Sequence, residues 1–316
     1  MAVPSNTLQT YQSNYNAEDV SEIIFNISPI DTPLLSTAKR EMAEATYTEW
    51  PIESLTAATT SNALIEGDDA SIDTSSTPSR VGNYTQLMNK TVSVTTTQDA
   101  IRKYGAKNEF ARQKAKKGKE LKRDWETIML ANQARVVGAA GTAQKMRSLP
   151  SWLTTNTSRG ASGANGSSSA AATDGTQRNF TEALLRALIV TTITNANELP
   201  SMLMAGPANR ANLSSQLSGN ATKFYELKDG TLNASISVYR SDFGPLKLVM
   251  NRFQRDRDMW LLNPDYLAIR TLEPLQYRDL AVTGLSNKGQ MWTNATLAVL
   301  NEAAHGVLAD LNTAVL

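Results

Sequence analysis

The chain has no cysteine, so disulfide staples, zinc–thiolate sites and thiol nucleophiles are excluded before any motif is read. It has one histidine, His305, in Ala-Ala-His-Gly near the end. A catalytic triad built on it would need an organised nucleophile, and no G-x-S-x-G elbow occurs, so a structural or solvent-facing role is expected for His305. There is no G-x-G-x-x-G and no phosphate loop closing on Lys-Ser/Thr. No run of eighteen apolar residues occurs, which excludes a membrane-spanning helix. The opening MAVPSNTLQTYQSN has neither a basic start nor an apolar stretch, so no secretory signal is expected and an unanchored cytoplasmic product is the default. Charge of one sign is not in excess: 31 Lys+Arg against 30 Asp+Glu give a formal net charge of +1. With 41% hydrophobic residues, the chain is neither a globally basic nucleic-acid binder nor disordered. Two acid-bearing clusters, Glu66-Gly67-Asp68-Asp69 and Arg255-Asp256-Arg257-Asp258, lack calcium-loop spacing and are expected to be solvated or paired with Arg. Nothing positive remains for an enzyme, a cofactor or a metal.

What is present is charge sorted by segment. Between Glu41 and Ser79 lie eight acids (Glu41, Glu44, Glu49, Glu53, Glu66, Asp68, Asp69, Asp73) and no Lys or Arg. Between Arg102 and Arg123 lie ten bases (Arg102, Lys103, Lys107, Arg112, Lys114, Lys116, Lys117, Lys119, Lys122, Arg123) against Glu109 and Glu120. The basic block belongs to Ala106–Val137, 32 residues without proline and rich in helix formers,. As one helix it would be about 48 Å long. In its second half Leu121, Trp125, Ile128, Met129, Asn132 and Val136 recur at steps of three and four, an apolar stripe that can pack on a sheet. The first half is a cationic rod with no large apolar residue after Phe110. It does not alternate with aromatics as a single-strand binder would, so any nucleic acid would be held through phosphates without sequence reading. The other candidate partner for the rod is the acidic segment of a second copy, since opposite charge blocks steer like chains into register.

Around this beam, residues 1–15 read as a polar arm, and Asp19–Phe25 as a short helix ended by the Ser28-Pro29 and Thr32-Pro33 pairs. Strands are expected at Ala45–Ile52 and Tyr84–Thr97. Ser54–Arg80 between them is too poor in large apolar groups for a core of its own, so the whole is read as an extended hairpin that needs a partner to lie on. Thr154–Thr176 is Ser/Gly/Ala-rich and reads as a flexible surface segment. A capping box at Asn179-x-x-Glu182 predicts a helix with Phe180, Leu184, Ala187, Leu188 and Thr191 on one face. Met202–Ala205 reads as a buried strand, and Gly206-Pro207 opens a second helix. Strands follow at Ile236–Tyr239 and Leu246–Met250, so Gln177–Met250 is expected to be a compact α/β unit. The tail, Asn251–Leu316, alternates short strands with polar turns and is expected to complete the sheet under the Leu121–Val136 stripe.

Two phrases, Ile27–Ser36 (ISPIDTPLLS) and Glu109–Glu126 (EFARQKAKKGKELKRDWE), together with the order of elements, resemble the major capsid proteins of tailed bacteriophages with the Hong Kong 97 fold. The resemblance implies an α+β fold divided into an N-terminal arm (1–45), an extended hairpin loop (46–97), a peripheral domain (98–176 and 251–316) carrying the spine helix (106–137), and an axial domain (177–250). It implies a non-enzymatic subunit that assembles with itself, as hexamers and pentamers, into an icosahedral shell. The shell would enclose double-stranded DNA, held without sequence preference, in a virion assembled in the host bacterial cytoplasm. A portal protein is an implied partner, and separate scaffolding and decoration proteins are compatible with the pattern. Arg112, Lys114, Lys116, Lys117, Lys119, Lys122 and Arg123 are the candidate contacts to a neighbour or to DNA phosphates, and Glu66, Asp68, Asp69 and Asp73 the acidic loop contacts. Some members crosslink subunits through a loop Lys; here no Lys lies between Glu41 and Asn89, so no such bond is expected. The competing readings are a nanocompartment shell of the encapsulin type and a non-specific nucleic-acid-binding protein acting through the basic helix.

Overall fold

The computed structural model describes residues 31–63, 65–67, 69, 77–101, 108–218, 238–282 and 284–314. In chain order its first elements are α1 (Pro33–Thr37), β1 (Lys39–Met42), β2 (Tyr47–Ile52), β3 (Ser79–Tyr84), β4 (Gln86–Thr95), α2 (Thr96–Ala100), α3 (Glu109–Leu130) and α4 (Leu149–Trp152). Then follow β5 (Thr157–Ser158), α5 (Glu182–Ala196), β6 (Met202–Ala205), α6 (Pro207–Ser218), β7 (Val238–Ser241), β8 (Gly244–Met250), β9 (Met259–Leu262), β10 (Leu267–Asp279), β11 (Ser286–Val299) and β12 (Gly306–Leu308).

The long helix α3 has 22 residues, about 33 Å at the usual rise, and is shorter at its C-terminal end than the expected 106–137. The Asn108 side chain caps it, accepting from Ala111 N at 2.8 Å,. It ends at Leu130 because the next side chains bind elsewhere: Asn132 Oδ1 accepts from Ala172 N (2.9 Å), and Gln133 Nε2 donates to Met146 O (2.8 Å). Short polar side chains that satisfy distant backbone in this way compete with continuing the helix. Within α3 the apolar stripe holds. Leu121, Trp125 and Met129 are buried, in one core with Met88 of β4 and Met291 of β11.

That core underlies a four-stranded sheet in the order β1-β10-β11-β4, with β1 parallel to β10 and the remaining neighbours antiparallel. A six-stranded sheet, β5-β12-β9-β6-β8-β7, packs a second core with α5. The tail therefore divides: β10 and β11 complete the sheet beneath α3, whereas β9 and β12 join β6 and β8. Since that sheet draws strands from both sides of Met250, Gln177–Met250 is not a unit closed on itself. On α5 the buried face is Leu185, Leu188, Ile189 and Thr192, one residue round from the expected one. Its N-cap is Thr181, which makes no side-chain capping bond, in place of the expected Asn179 box.

Two further expectations are corrected. The return strand of the hairpin is β3, register Tyr47↔Tyr84 to Ile52↔Ser79, and β4 pairs instead with β11. The chain changes sheet at Thr85, just past Asn83, whose buried amide donates to Arg147 O (3.0 Å) and Leu297 O (2.8 Å) while its oxygen accepts from Arg147 N (2.7 Å). The separate hairpin thus spans β2 to β3, not 46–97. Residues 154–176 are also held firmly. The buried Asp310 carboxylate accepts from Gly160 N (3.0 Å) and Gly175 N (2.9 Å), and Asp174 pairs with Arg255 (2.5 Å) and Arg257 (3.2 Å).

Candidate functional site

Charge on the first half of α3 is partly spent inside the chain. Arg112 is bound to Glu109, with Nε donating to Oε2 at 3.0 Å, and Lys117 pairs with Glu120 at 2.7 Å. Lys114 Nζ lies 3.2 Å from the centre of the Tyr277 ring on β10, and Arg123 lies over Phe253 at 5.2 Å, both cation–π contacts. Burial helps raise the Tyr277 hydroxyl pKa to about 12, and hydrogen bonding to Asp279 adds to it. Of the seven proposed cations, Lys116, Lys119 and Lys122 are exposed, at successive three-residue steps on the helix surface,. Arg102, Lys103 and Lys107 lie outside the described residues.

The acidic segment is likewise divided. Glu41 pairs with Arg270 (2.8 Å) and Glu49 with Arg80 (3.6 Å). Glu66 and Asp69 are exposed on the loop beyond the hairpin, and Asp68 and Asp73 lie outside the described residues. No direct contact of Glu66 or Asp69 with the lysine row is seen among the described residues.

The hairpin root is tightly built. The Tyr47 and Tyr84 rings meet tilted with centres 4.5 Å apart, Arg135 Nη1 donates to Tyr47 Oη at 3.0 Å, and Trp50 packs on Trp152 at 5.6 Å. Past Ile52 this order stops. Residues 53–63 are exposed throughout, and Leu55 (97%) and Ile65 (78%) are almost fully so. A second apolar surface is a cavity of about 300 Å³ between α1, β1, α3 and β10, lined by Leu35, Met42, Leu121, Trp125, Pro274 and Leu275.

Of three buried ionisable groups, Glu126 had no role expected of it, the Asp258 cluster was expected to be solvated or paired with Arg, and His305 was expected to be structural or solvent-facing. Glu126, on the buried side of α3, accepts from Leu34 N (2.9 Å), Leu35 N (2.8 Å) and Asn251 Nδ2 (2.6 Å). Burial pushes its pKa up against the pull of those three hydrogen bonds. Asp258 is raised to about 6 by burial, with Arg255 opposing. Thus the Arg255–Asp258 cluster is a set of ion pairs with Asp174 and Asp310. His305 is fully buried, its Nδ1 accepting from Asn263 N at 3.2 Å, which leaves it a structural and not a solvent-facing group.

The two phrases of the sequence meet at Glu126. Pro33 occupies the first helical position of α1 and brings no N–H, so Leu34 and Leu35 carry its first free donors,. Ser36 Oγ donates to Thr32 O at 2.8 Å, closing the same turn. The Thr, the Pro and the Ser of ISPIDTPLLS thus shape one short helix whose donors end on the last residue of EFARQKAKKGKELKRDWE.

Residues 4–312 match the family model described as SU10 major capsid protein. A major capsid protein of Escherichia phage Phieco32 is 35% identical over 127 residues, 40% of this chain and 36% of the relative, so the match spans about a third of that protein. Among solved structures, the cyanophage A-1(L) capsid asymmetric unit has a TM-score of 0.64 at 15% identity, covering 96% of this chain and 98% of that one. The encapsulin complex of Synechococcus elongatus has a TM-score of 0.57 at 12% identity, covering 94% and 93%. At these identities the structures speak for the fold, which is that of Hong Kong 97-type capsid proteins.

Proposed function

Since the chain belongs to the SU10 major capsid protein family, we propose that it builds the shell of a tailed phage by packing against copies of itself, without catalysis. The observation that carries this reading is the contrast within the hairpin. Its stem is locked to the body, while the run beyond it exposes Leu55 and Ile65 to solvent. Exposed large apolar groups on an extended loop are stable in the chain's working state when another molecule covers them. A neighbouring copy is the natural cover, and a closed shell makes the same contact repeatedly.

On this reading the segment before α1 is the arm, residues 47–84 are the projecting loop, and α3 with the four-stranded sheet forms the peripheral domain. The axial domain is 177–250 joined by β9 and β12. The remaining free cations, Lys116, Lys119 and Lys122, face packaged double-stranded DNA through its phosphates. Lys114 ties the helix to its own sheet through Tyr277, Arg123 rests on Phe253, and Arg112 and Lys117 are paired with Glu109 and Glu120 along the helix itself. The particle is a virion shell assembled in the host bacterial cytoplasm with a portal protein, and scaffolding and decoration proteins act as separate chains.

Electron microscopy of the purified chain tests the reading. Closed shells or ring-shaped capsomers are expected, and a monomer at every accessible concentration would overturn it. Protein cargo in place of DNA inside native particles would move the assignment to a nanocompartment.

A further inference from the structure

Glu126 has a use that the shell-building reading does not supply. It is a carboxylate with no exposed surface, next to Trp125 and one turn from Met129 and Leu130. Its three hydrogen-bond partners are all uncharged donors from two distant parts of the chain. Two are the first free N–H groups of α1, a carboxylate at a helix N-terminus being the favoured arrangement. The third, Asn251, is itself fixed, its N–H donating to Ala205 O at 3.0 Å and its Oδ1 accepting from Phe253 N at 2.8 Å. Glu126 therefore ties α1, α3 and the end of β8 at one point. Asp31 and Thr32 immediately precede α1, so this point is also where residues 1–30 connect to the described chain.

We propose that Glu126 is a positioning residue, a pin that sets where the N-terminal segment departs and thereby which surface of a neighbouring copy it reaches. Its consequence for assembly rests on the shell-building reading; its geometry does not. The argument is one of shape. Only an acceptor with two oxygens can hold both consecutive amides and the Asn251 amide together. An amide in its place turns one acceptor into a donor facing a donor.

Residues 1–38 contain no Lys or Arg, and the first tryptic sites are Lys39 and Arg40 on β1. Trypsin release of the N-terminal peptide from the unassembled subunit therefore reports whether α1 stays down. Glu126→Gln should release it about tenfold faster or more, the scale of one lost hydrogen bond to a charged acceptor, and should fail to form regular shells. The double variant Glu126→Gln, Asn251→Asp restores a link between α3 and β8 by an amide donating to a carboxylate, but leaves a single oxygen for the two α1 amides,. Its melting temperature should recover toward wild type while peptide release stays fast, a split that a merely structural residue would not produce. Should Glu126→Gln fail to fold, the double variant carries the comparison, and in the wild-type subunit the Leu34 and Leu35 amides should exchange slowly. Release at the wild-type rate, protection restored in the double variant, or unprotected Leu34 and Leu35 amides would each overturn the pin. A wild-type chain that forms no shells would defeat the shell reading and leave the tryptic result to stand.

Discussion

His305 shows what burial does to one titratable group. Its imidazole is held neutral with a pKa of about 4, burial lowering it and the Tyr266 backbone opposing. The unfolded chain, near 6.5, binds a proton that the folded chain refuses between those two values. The contribution is therefore full above about pH 6.5 and is lost as pH falls toward 4, on the order of 3 kcal/mol in all. Asp258, raised to about 6, runs the other way: its contribution is present below about pH 4, the usual Asp range, and is lost as pH rises through 6,. The two oppose each other, so raw stability against pH will look shallow. His305→Asn keeps an acceptor near Asn263 N and removes the titration. In urea unfolding of the unassembled subunit, the wild type should lose on the order of 3 kcal/mol more than this variant between pH 7 and pH 4. Parallel curves would mean that the imidazole is not buried neutral. The pairings of Asn83 and Glu126 were not legible in the sequence, because the partners Arg147 and Leu34 lie 64 and 92 residues away.

Elements were readable where a pattern is local. The stripe Leu121, Trp125, Met129 announces α3 because helical spacing brings those residues onto one face whatever they meet. Its end did not show, since Leu130 stops the helix only when Ala172 and Met146 are in place to receive Asn132 and Gln133. β3 was missed because Ser79–Tyr84 has a single aliphatic residue, Val81, and gains its strand form by pairing with β2. Two glycines separate these cases by experiment. Mid-helix Gly118 would place a Cβ 3.3 Å from the flexible end of Met291. Gly118→Ala should therefore stabilise by up to about 1 kcal/mol, the helix-propensity gain, once that terminus shifts. At Gly82 the added Cβ would fall 2.7 Å from the Thr48 carbonyl oxygen, and Gly82→Ala should cost about 1–3 kcal/mol because backbone cannot move aside. Equal effects in thermal melts would contradict both placements. Charge follows the same lesson. Ten bases stand in the block, but Lys114 and Arg123 are spent on Tyr277 and Phe253 far along the chain, and Arg112 and Lys117 on Glu109 and Glu120 within the helix. If Lys116, Lys119 and Lys122 are the ones that meet DNA, replacing all three by Ala should lower the salt slope of binding by about 0.9 per lysine. The melting temperature should stay within about a degree or two, as for exposed substitutions.

For the molecule as a whole, the decisive question is whether the hairpin tip serves the subunit or its neighbours. The stem runs from Tyr47↔Tyr84 to Ile52↔Ser79, so residues 54–77 can be replaced by a short turn without disturbing either strand. Closing a loop of four residues in place of 26 lowers the entropic cost of joining the strands by about 1.5 kcal/mol on the logarithmic loop law. The trimmed subunit is thus expected to be monomeric and slightly more stable than the parent, which separates lost assembly from lost folding. Shells should be absent, because Leu55, Ile65 and the acids Glu66 and Asp69 leave with the tip while the body keeps both of its cores. Sedimentation and microscopy at matched concentration read the outcome directly. If the trimmed chain closes particles as the full one does, the tip carries no assembly contact, and the exposure of Leu55 and Ile65 needs a different partner.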